Sequence, residues 1–390
     1  MTSDSRDIFG TSLMCDVLSA YRRDLERTPD VVSFGPDDAR WLRTALQVEQ
    51  LATLAHGPRG SRAARAARDA ARRGTHPVLH GARLLALAER MEAAGALTLA
   101  FATLGHARHL WERTDVVSAG MAIFRQARIC RTSGATAAAE NFYAYLFSYA
   151  TRHRLPELRG RALIGRGILR TLEGNPAAGR RWFVKARSAS GSHPVACAVS
   201  YHGEMNAALA LGDFDGALVA GWRALETNAL GSPDEAGVLV NLASVALHAG
   251  HPAAALRTVR RAIRRCTHPR VRLIAYAKGA LAAAALQQLA LVNRFAAHLT
   301  GAAATVNIPF EELEARSELA LAFDVAGDRL RARRLARSVR LEAQEHGFST
   351  VVARCDRVLD DRALGDRPPE PAVLALSLPA RRVVAELEHV

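Results

Sequence analysis

Lysine is almost absent from this 390-residue sequence, occurring only as Lys185 and Lys278 although Lys and Arg together number 52. Against 38 acidic residues, the formal net charge is +14, and arginine supplies nearly all of the positive charge. A chain rich in Arg and Ala and poor in Lys is typical of GC-rich coding. The basic composition alone is therefore weak support for a nucleic-acid partner.

Cysteine pairs and long apolar runs are also missing. Five cysteines are spread from Cys15 to Cys355 without a C-x-x-C pair, which argues against a disulfide framework and predicts buried thiols in a reducing compartment. The longest uncharged run, 279–293, contains two glutamines and is too short to cross a membrane. The first ten residues lack the cationic and apolar regions of an export signal. These features predict a cytoplasmic protein with no membrane partner.

Catalytic and metal-binding motifs are absent as well. The sequence has no G-x-S-x-G, no G-x-x-x-x-G-K-[ST], no H-E-x-x-H and no Gly-rich dinucleotide fingerprint. The pairs His76/His80 and His106/His109 have helical spacing, but neither has a nearby cysteine or carboxylate to complete a metal site. We therefore expect a protein that is not an enzyme, with no catalytic residues, no metal and no cofactor.

What the sequence does contain is a repeat marked by prolines and glycines. Each series recurs about every 39 residues, and the two series interleave. One gap in each series is twice as long, with the missing proline near Asp115 and the missing glycine near Leu289. The prolines are Pro36, Pro77, Pro156, Pro194, Pro233, Pro269 and Pro309, and the glycines are Gly57, Gly95, Gly134, Gly174, Gly212, Gly250 and Gly327.

One unit of about 39 residues, copied about eight times, explains both series. Proline is accepted in the first turn of a helix, and glycine takes the left-handed conformation that ends one. Each unit is therefore predicted to contain a first helix (the A helix), a glycine turn, a second helix (the B helix) and a loop. Where proline is missing, Thr114 and Asp115 can cap the A helix instead.

Small residues recur at fixed offsets from the turn glycine, where they allow A and B helices to approach closely. This pattern resembles the tetratricopeptide repeat (TPR) family over roughly residues 36–346, although the period exceeds the family's usual value of about 34. The family's aromatic positions are mostly aliphatic here. The small residues are Ala100, Ala139, Gly179, Ala217 and Ala255 five positions after the glycine, Ala107, Ala186, Ala224 and Ala262 twelve after, and Ala88, Ala127, Gly167, Ala243 and Ala320 seven before.

The resemblance predicts an all-α, right-handed superhelical α-solenoid of about eight antiparallel helix pairs. A HEAT-like array, whose period is also near 40, is the structural alternative. We expect an N-terminal capping helix in 1–35, the solenoid in 36–364, and a Pro-rich linker with a short C-terminal helix in 365–390. The long repeat is similar to helical-repeat regions of bacterial transcription regulators and sensors, which implies a regulatory scaffold.

In the TPR family, ligands lie in a concave groove lined by the A helices. The resemblance therefore implies a groove that binds a protein or peptide. Asparagine can hold an extended peptide through its backbone amides, and arginine can hold a carboxylate bidentately. The matching positions in this sequence are Phe124, Arg128, Arg131, Arg161, Thr171, His202, Asn206, Ser244 and Tyr276.

Two arginine-rich B helices raise the alternative of a nucleic-acid-binding repeat. Arginines on one helix face could follow a phosphate backbone, and binding would then fall steeply with salt. B helices of the family lie largely on the convex side, which favours a solvated outer face. The candidate residues are Arg62, Arg65, Arg68 and Arg72 in one helix and Arg257, Arg260, Arg261 and Arg264 in the other.

Aromatic residues are scarce but crowd one B helix. Its five rings span more than a single buried stripe, so at least one is expected to reach the surface or the next repeat. Core packing is one interpretation, and a partner or homodimer contact is the other. The rings are Phe142, Tyr143, Tyr145, Phe147 and Tyr149.

Overall fold

The computed structural model describes residues 77–93, 97–112, 114–191, 193–304, 306, 309–360 and 374–389. The predicted capping helix in 1–35, the first predicted repeat with the arginines at 62–72, and the Pro-rich stretch before residue 374 lie outside these residues. Within the described residues every regular element is an α-helix, and no strand occurs.

The described residues form sixteen helices. The odd-numbered helices α1 to α13 are the A helices, each followed by its B helix, and α15 and α16 come after the last pair. Their bounds are α1 Pro77–Ala93, α2 Leu97–Trp111, α3 Val116–Thr132, α4 Thr136–Arg152, α5 Pro156–Leu172, α6 Pro176–Ala189, α7 Pro194–Ala210, α8 Phe214–Glu226, α9 Ser232–His248, α10 Pro252–Arg265, α11 Pro269–Ala285, α12 Leu289–Ala303, α13 Pro309–Val325, α14 Arg329–Glu345, α15 Ser349–Leu359 and α16 Leu378–His389.

The A helices begin where the proline series predicts. Five of them start on a series proline and a sixth, α9, has Pro233 as its second residue. Where the proline is missing, Asp115 caps α3, and its carboxylate accepts the Ser118 N–H at 3.0 Å. Helix starts are predictable here because proline and a capping carboxylate act on the first turn alone.

The turns between A and B helices carry left-handed residues. Gly134, Gly174, Gly212, Gly250 and Gly327 all have φ between 73° and 85°. The turn between α1 and α2 lies outside the described residues. In the pair α11/α12 the left-handed residue is Gln287, with φ 58°, so this turn lies two residues before the position expected near Leu289.

The chain divides into two compact units, residues 1–169 with 189–191 and residues 170–188 with 192–390. In the first unit, α1 to α4 pack on one another in order. In the second unit, the A helices α7, α9, α11 and α13 contact one another in order, α15 continues this series by packing on α13, and each of α8, α10, α12 and α14 packs on the A helix before it. The predicted all-α solenoid of stacked helix pairs is confirmed.

The small residues predicted to lie between helices are buried. Ala127 and Ala139 in the first unit and Ala217 and Ala224 in the second are completely inaccessible to solvent. Alanine at these points places the A and B backbones close together, and Leu, Val and Phe side chains fill the remaining space. The surface formed by successive A helices, called here the A-helix face, is then available for polar side chains.

Candidate functional site

The most organised polar group on the A-helix face lies in the second unit, where two predicted side chains meet one that was not predicted. His202 and Asn206 are one turn apart on α7, and Asn241 lies on α9. The Asn241 amide nitrogen is 2.8 Å from His202 Nε2 and donates to Asn206 Oδ1 at 3.1 Å. We call these three residues the amide ladder.

The charge state of His202 decides how the ladder is oriented. Burial lowers the pKa of His202 to about 4, so the imidazole is neutral near pH 7 and its Nε2 can accept a hydrogen bond. Both amide hydrogens of Asn241 are then used, one by His202 and one by Asn206. Two polar atoms are then left to bind a ligand: Oδ1 of Asn241 and Nδ2 of Asn206, which is exposed.

A pH titration tests this arrangement. The unfolded chain takes up a proton on His202 near the ordinary pKa of 6.5, whereas the folded chain does so only near 4. Its contribution to the free energy of unfolding is therefore full above pH 6.5 and is lost toward pH 4, by up to about 1.4 kcal/mol per pH unit. Urea denaturation of wild type and His202→Gln across this range should show their difference in stability shrinking as the pH falls. A constant difference would contradict the lowered pKa.

Ionic side chains flank the amide ladder on α6 and α7. Glu204 pairs with Arg187 at 2.8 Å and with Arg180 at 3.2 Å. Arg187 also lies over the Tyr201 ring, 4.3 Å from its centre. Burial opposes the charge of Arg180, but the hydrogen bonds that it donates to Glu204 and Asp213 hold its pKa above its ordinary value. These cations are neutralised within the protein, so the surface beside the ladder is not strongly charged.

In the first unit the A-helix face carries paired charges. Arg128, a predicted groove residue, is bound by Glu92 of α1 at 2.5 Å, and Arg125 is bound by Glu89 at 2.6 Å. The arginines lie on α3 and each is 36 residues after its glutamate, which is close to one repeat period. Arg128 therefore already has a carboxylate partner before any ligand arrives.

The other predicted residues of the first unit lie at two neighbouring aromatic rings, those of Phe124 and Tyr143. Arg161 of α5 lies 5.4 Å from the centre of the Phe124 ring and also binds Glu157 at 2.8 Å. Phe124 in turn approaches Tyr143, with ring centres 6.5 Å apart. Arg131 lies beside the Tyr143 hydroxyl, whose pKa is nevertheless raised because the ring is buried. Arg161 thus lies beside Phe124, and Arg131 lies beside Tyr143, the ring that Phe124 approaches.

Three predicted groove residues of the second unit do not join the amide ladder. Ser244 is only 6% exposed, and Thr171 is half-buried in the last turn of α5. The Tyr276 ring stacks on His298 of α12, with 5.3 Å between ring centres. Because the turn of this pair lies at Gln287, Tyr276 is two residues out of the expected register, a rotation of about 200° around the helix.

Of the candidate arginines on α10, two contact protein groups and two are exposed to solvent. Arg261 is 3.9 Å from Glu235, and Arg257 donates to the backbone carbonyl of Glu388 in α16. Arg260 and Arg264 are exposed. The first stripe, Arg62, Arg65, Arg68 and Arg72, lies outside the described residues. Half of the described stripe is thus engaged by protein groups.

The aromatic B helix, α4, both packs in the core and reaches the surface. Tyr143 and Tyr149 are 1% and 7% exposed, and the Tyr149 hydroxyl donates to the carbonyl of Val116 at 3.1 Å. Tyr145, in contrast, is 46% exposed. The expectation that at least one ring reaches the surface is met by Tyr145.

A cleft that the sequence did not suggest lies in the second unit. It has a volume of about 740 Å³ and is bordered by the end of α12 and by α13 and α14. Leu299 and Leu313 belong to its apolar wall, and Arg316 at its edge binds Glu342 through two nitrogens at 2.8 and 2.9 Å. The lining of the cleft is therefore mixed, with Thr300, Glu312 and His346 beside the apolar side chains.

No protein-family model and no curated protein matches the sequence. Among solved structures, the chain is similar to a tetratricopeptide repeat protein from Parabacteroides merdae, with 13% identity and a TM-score of 0.40 over 71% of this chain and 98% of that chain. The present chain has helix pairs, left-handed turn residues and buried small residues at matched offsets. The described residues form an all-α repeat of helix pairs.

Two further observations concern the described residues as a whole. In the part of the chain that the structure describes, no helix is both long and apolar enough to span a bilayer. Among the same residues, no three His, Cys, Asp or Glu side chains are grouped so that they could hold a metal ion.

Proposed function

We propose that this chain is a non-catalytic scaffold that binds an extended peptide or protein segment on the A-helix face of its second unit. The amide ladder is the observation that carries the proposal. It presents an acceptor, Asn241 Oδ1, beside a donor, Asn206 Nδ2, on neighbouring helices. An extended peptide backbone offers alternating N–H and C=O groups, which this pair matches.

The surroundings of the ladder support a neutral peptide segment as the ligand. Arg180 and Arg187 are paired with Glu204, and the Tyr201 ring beside them offers an apolar surface. In the first unit, Phe124 with Arg131 and Arg161 forms a separate candidate contact for an aromatic or acidic side chain. None of the four described cysteines forms a disulfide, which supports a regulatory scaffold in the reducing cytoplasm.

Peptide selection tests the proposal. A display library of random peptides would be panned on the full chain, and the affinity of selected peptides measured by fluorescence anisotropy. The double variant Asn206→Ala/Asn241→Ala is expected to raise Kd about 10- to 100-fold, because each lost hydrogen bond contributes about 0.5–1.5 kcal/mol. Far-UV circular dichroism would verify that the variant remains helical.

The matched control is Asn293→Ala, which removes an exposed asparagine from the B helix α12. It should leave the Kd of the selected peptides within about twofold of wild type. Peptides that bind wild type and the double variant equally well would remove the amide ladder from the site. A failure to select any peptide would remove peptide binding itself.

A further inference from the structure

The C-terminal helix α16 departs from the repeat pattern. It packs across two B helices, α8 and α10, instead of on an A helix. In the sequence, 361–373 separates it from α15 and includes Pro368, Pro369 and Pro371. The surface between α8 and α10, called here the B-helix groove, therefore holds a helix that the stacking of repeats does not require.

The two ends of the B-helix groove match the two ends of a helix. The Asp215 carboxylate accepts the Ser377 N–H, with its two oxygens at 3.2 and 3.0 Å, just before the first turn of α16. At the other end, Arg257 donates to the carbonyl of Glu388 in the last turn. Helix N-termini carry free N–H groups and partial positive charge, and C-termini the reverse. An acidic group at one end and a cation at the other therefore fix the direction in which a helix binds.

The floor of the groove has an apolar residue at a position where most other B helices have a polar one. Leu218 lies six residues after its turn glycine and is fully buried. In four of the other six described pairs that position is polar and at least partly exposed, as Glu140, Arg180, Asn293 and Arg333, and in two it is apolar, as Phe101 on α2 and the buried Leu256 on α10. A leucine here would face solvent without a covering helix, and Asp215 lies one turn away from it on α8.

A second floor residue shows the same effect on α10. Ala254 lies four residues after its turn glycine and is 0% exposed, and Arg257 is one turn further along the same helix. The equivalent residues in the other described pairs are partly buried or exposed, namely Ala138, Ala178, Gly216, Leu291 and Arg331. Besides α9 and α11, α10 also packs on α16, which adds cover to this helix.

The helix that fills the groove is amphipathic in a simple way. Its buried residues fall at i, i+4, i+7, i+8 and i+11, which is one face of a helix. Arg381, Arg382 and Glu386 on the other face are exposed. The buried residues are Leu376, Ala380, Val383, Val384 and Leu387.

We propose that the B-helix groove is a docking site for an amphipathic helix of a partner protein, which α16 occupies in cis. The polar contacts of the groove go to backbone groups at the helix ends and its floor takes small or branched apolar side chains. The groove therefore recognises a helix of about three turns with this apolar spacing, in the direction set by Asp215 and Arg257. A partner helix binds by displacing α16.

The test uses the full chain and a labelled synthetic peptide of residues 374–390. In the variant Val383→Asp/Leu387→Asp, α16 can no longer fill the groove, and the peptide is expected to bind in trans. With the peptide binding at about 10 μM and a tethered α16 held at an effective concentration near 1 mM, wild type should bind about 100-fold more weakly. Adding Leu218→Asp to the opened variant should abolish binding, and adding Asp215→Ala should weaken it about fivefold.

Two results would overturn the proposal: an opened variant that remains helical yet does not bind the peptide, or wild type that binds it as tightly as the opened variant. If the opened variant does not fold, hydrogen exchange of wild type decides, because a displaceable α16 must exchange faster than α8 and α10. Equal protection of the three helices would contradict displacement. A wild-type dimer that the peptide dissociates would assign the groove to a second copy of this chain and overturn the partner protein as occupant.

Discussion

Replacing Lys278 with methionine is expected to lower the free energy of unfolding of the second unit by about 3 kcal/mol. Lys278 of α11 binds Glu318 of α13 at 2.5 Å, and these side chains are 18% and 7% exposed. After the substitution, Glu318 keeps only Arg354, at 3.7 Å, as a cation near its carboxylate. The cost arises because a carboxylate is left buried without its close partner.

A double variant and a surface pair separate this effect from a general loss of contacts. Lys278→Met/Glu318→Leu removes both charges and should be within about 1 kcal/mol of wild type. Arg340→Met breaks an exposed pair, Arg340–Asp356 at 2.6 Å, and should cost at most about 1 kcal/mol. Urea denaturation followed by far-UV circular dichroism measures all three. A Lys278→Met penalty no larger than that of Arg340→Met would show that burial of this pair is energetically unimportant.

The fold could be predicted from the sequence because its signals are local. Proline in a first turn, the Asp115 cap and glycine in a left-handed turn each depend on only a few neighbouring residues. The turn between α11 and α12 is the exception. Its left-handed residue is Gln287, and because glutamine rarely takes this conformation, the sequence gives no signal for the turn. That missed turn displaced the expected position of Tyr276.

The candidate site was less predictable, because it depends on how successive helices face each other. His202 and Asn206 were expected on the A-helix face, but their partner Asn241 was not. His202 and Asn241 are 39 residues apart, about one period. Polar residues one period apart on A helices could therefore have suggested the contact, as with Lys278 and Glu318, which are 40 apart. The rotation between neighbouring helices decides which of these pairs meet.

The position at which α16 packs could not be predicted from local signals. Ser377 and Asp215 are 162 residues apart, and nothing in the repeat pattern links them. Leu218 was the available clue, because a leucine replaces the polar residues found at most equivalent positions. That clue indicates a covered surface, but only the folded chain identifies the helix that covers it.

Gly203→Ala is expected to destabilise the second unit by about 1–3 kcal/mol, although alanine normally stabilises a helix relative to glycine by up to about 1 kcal/mol. Gly203 lies inside α7, and a Cβ atom there would be 2.4 Å from Cε1 of Phe183 on α6. Phe183 is 1% exposed, so its ring has little room to move. The glycine is required because two helices approach closely at this ring.

Gly301→Ala is the matched control, since Gly301 also lies in a helix, α12, and a Cβ atom there would meet no atom within 4 Å. This variant should leave stability unchanged or raise it by up to about 1 kcal/mol. Combining Gly203→Ala with Phe183→Leu should recover part of the loss, because the smaller side chain makes room for the added methyl group. Thermal and urea denaturation of the variants would measure these differences. Changes of the same sign in Gly203→Ala and Gly301→Ala would contradict a steric origin and would leave helix propensity as the explanation.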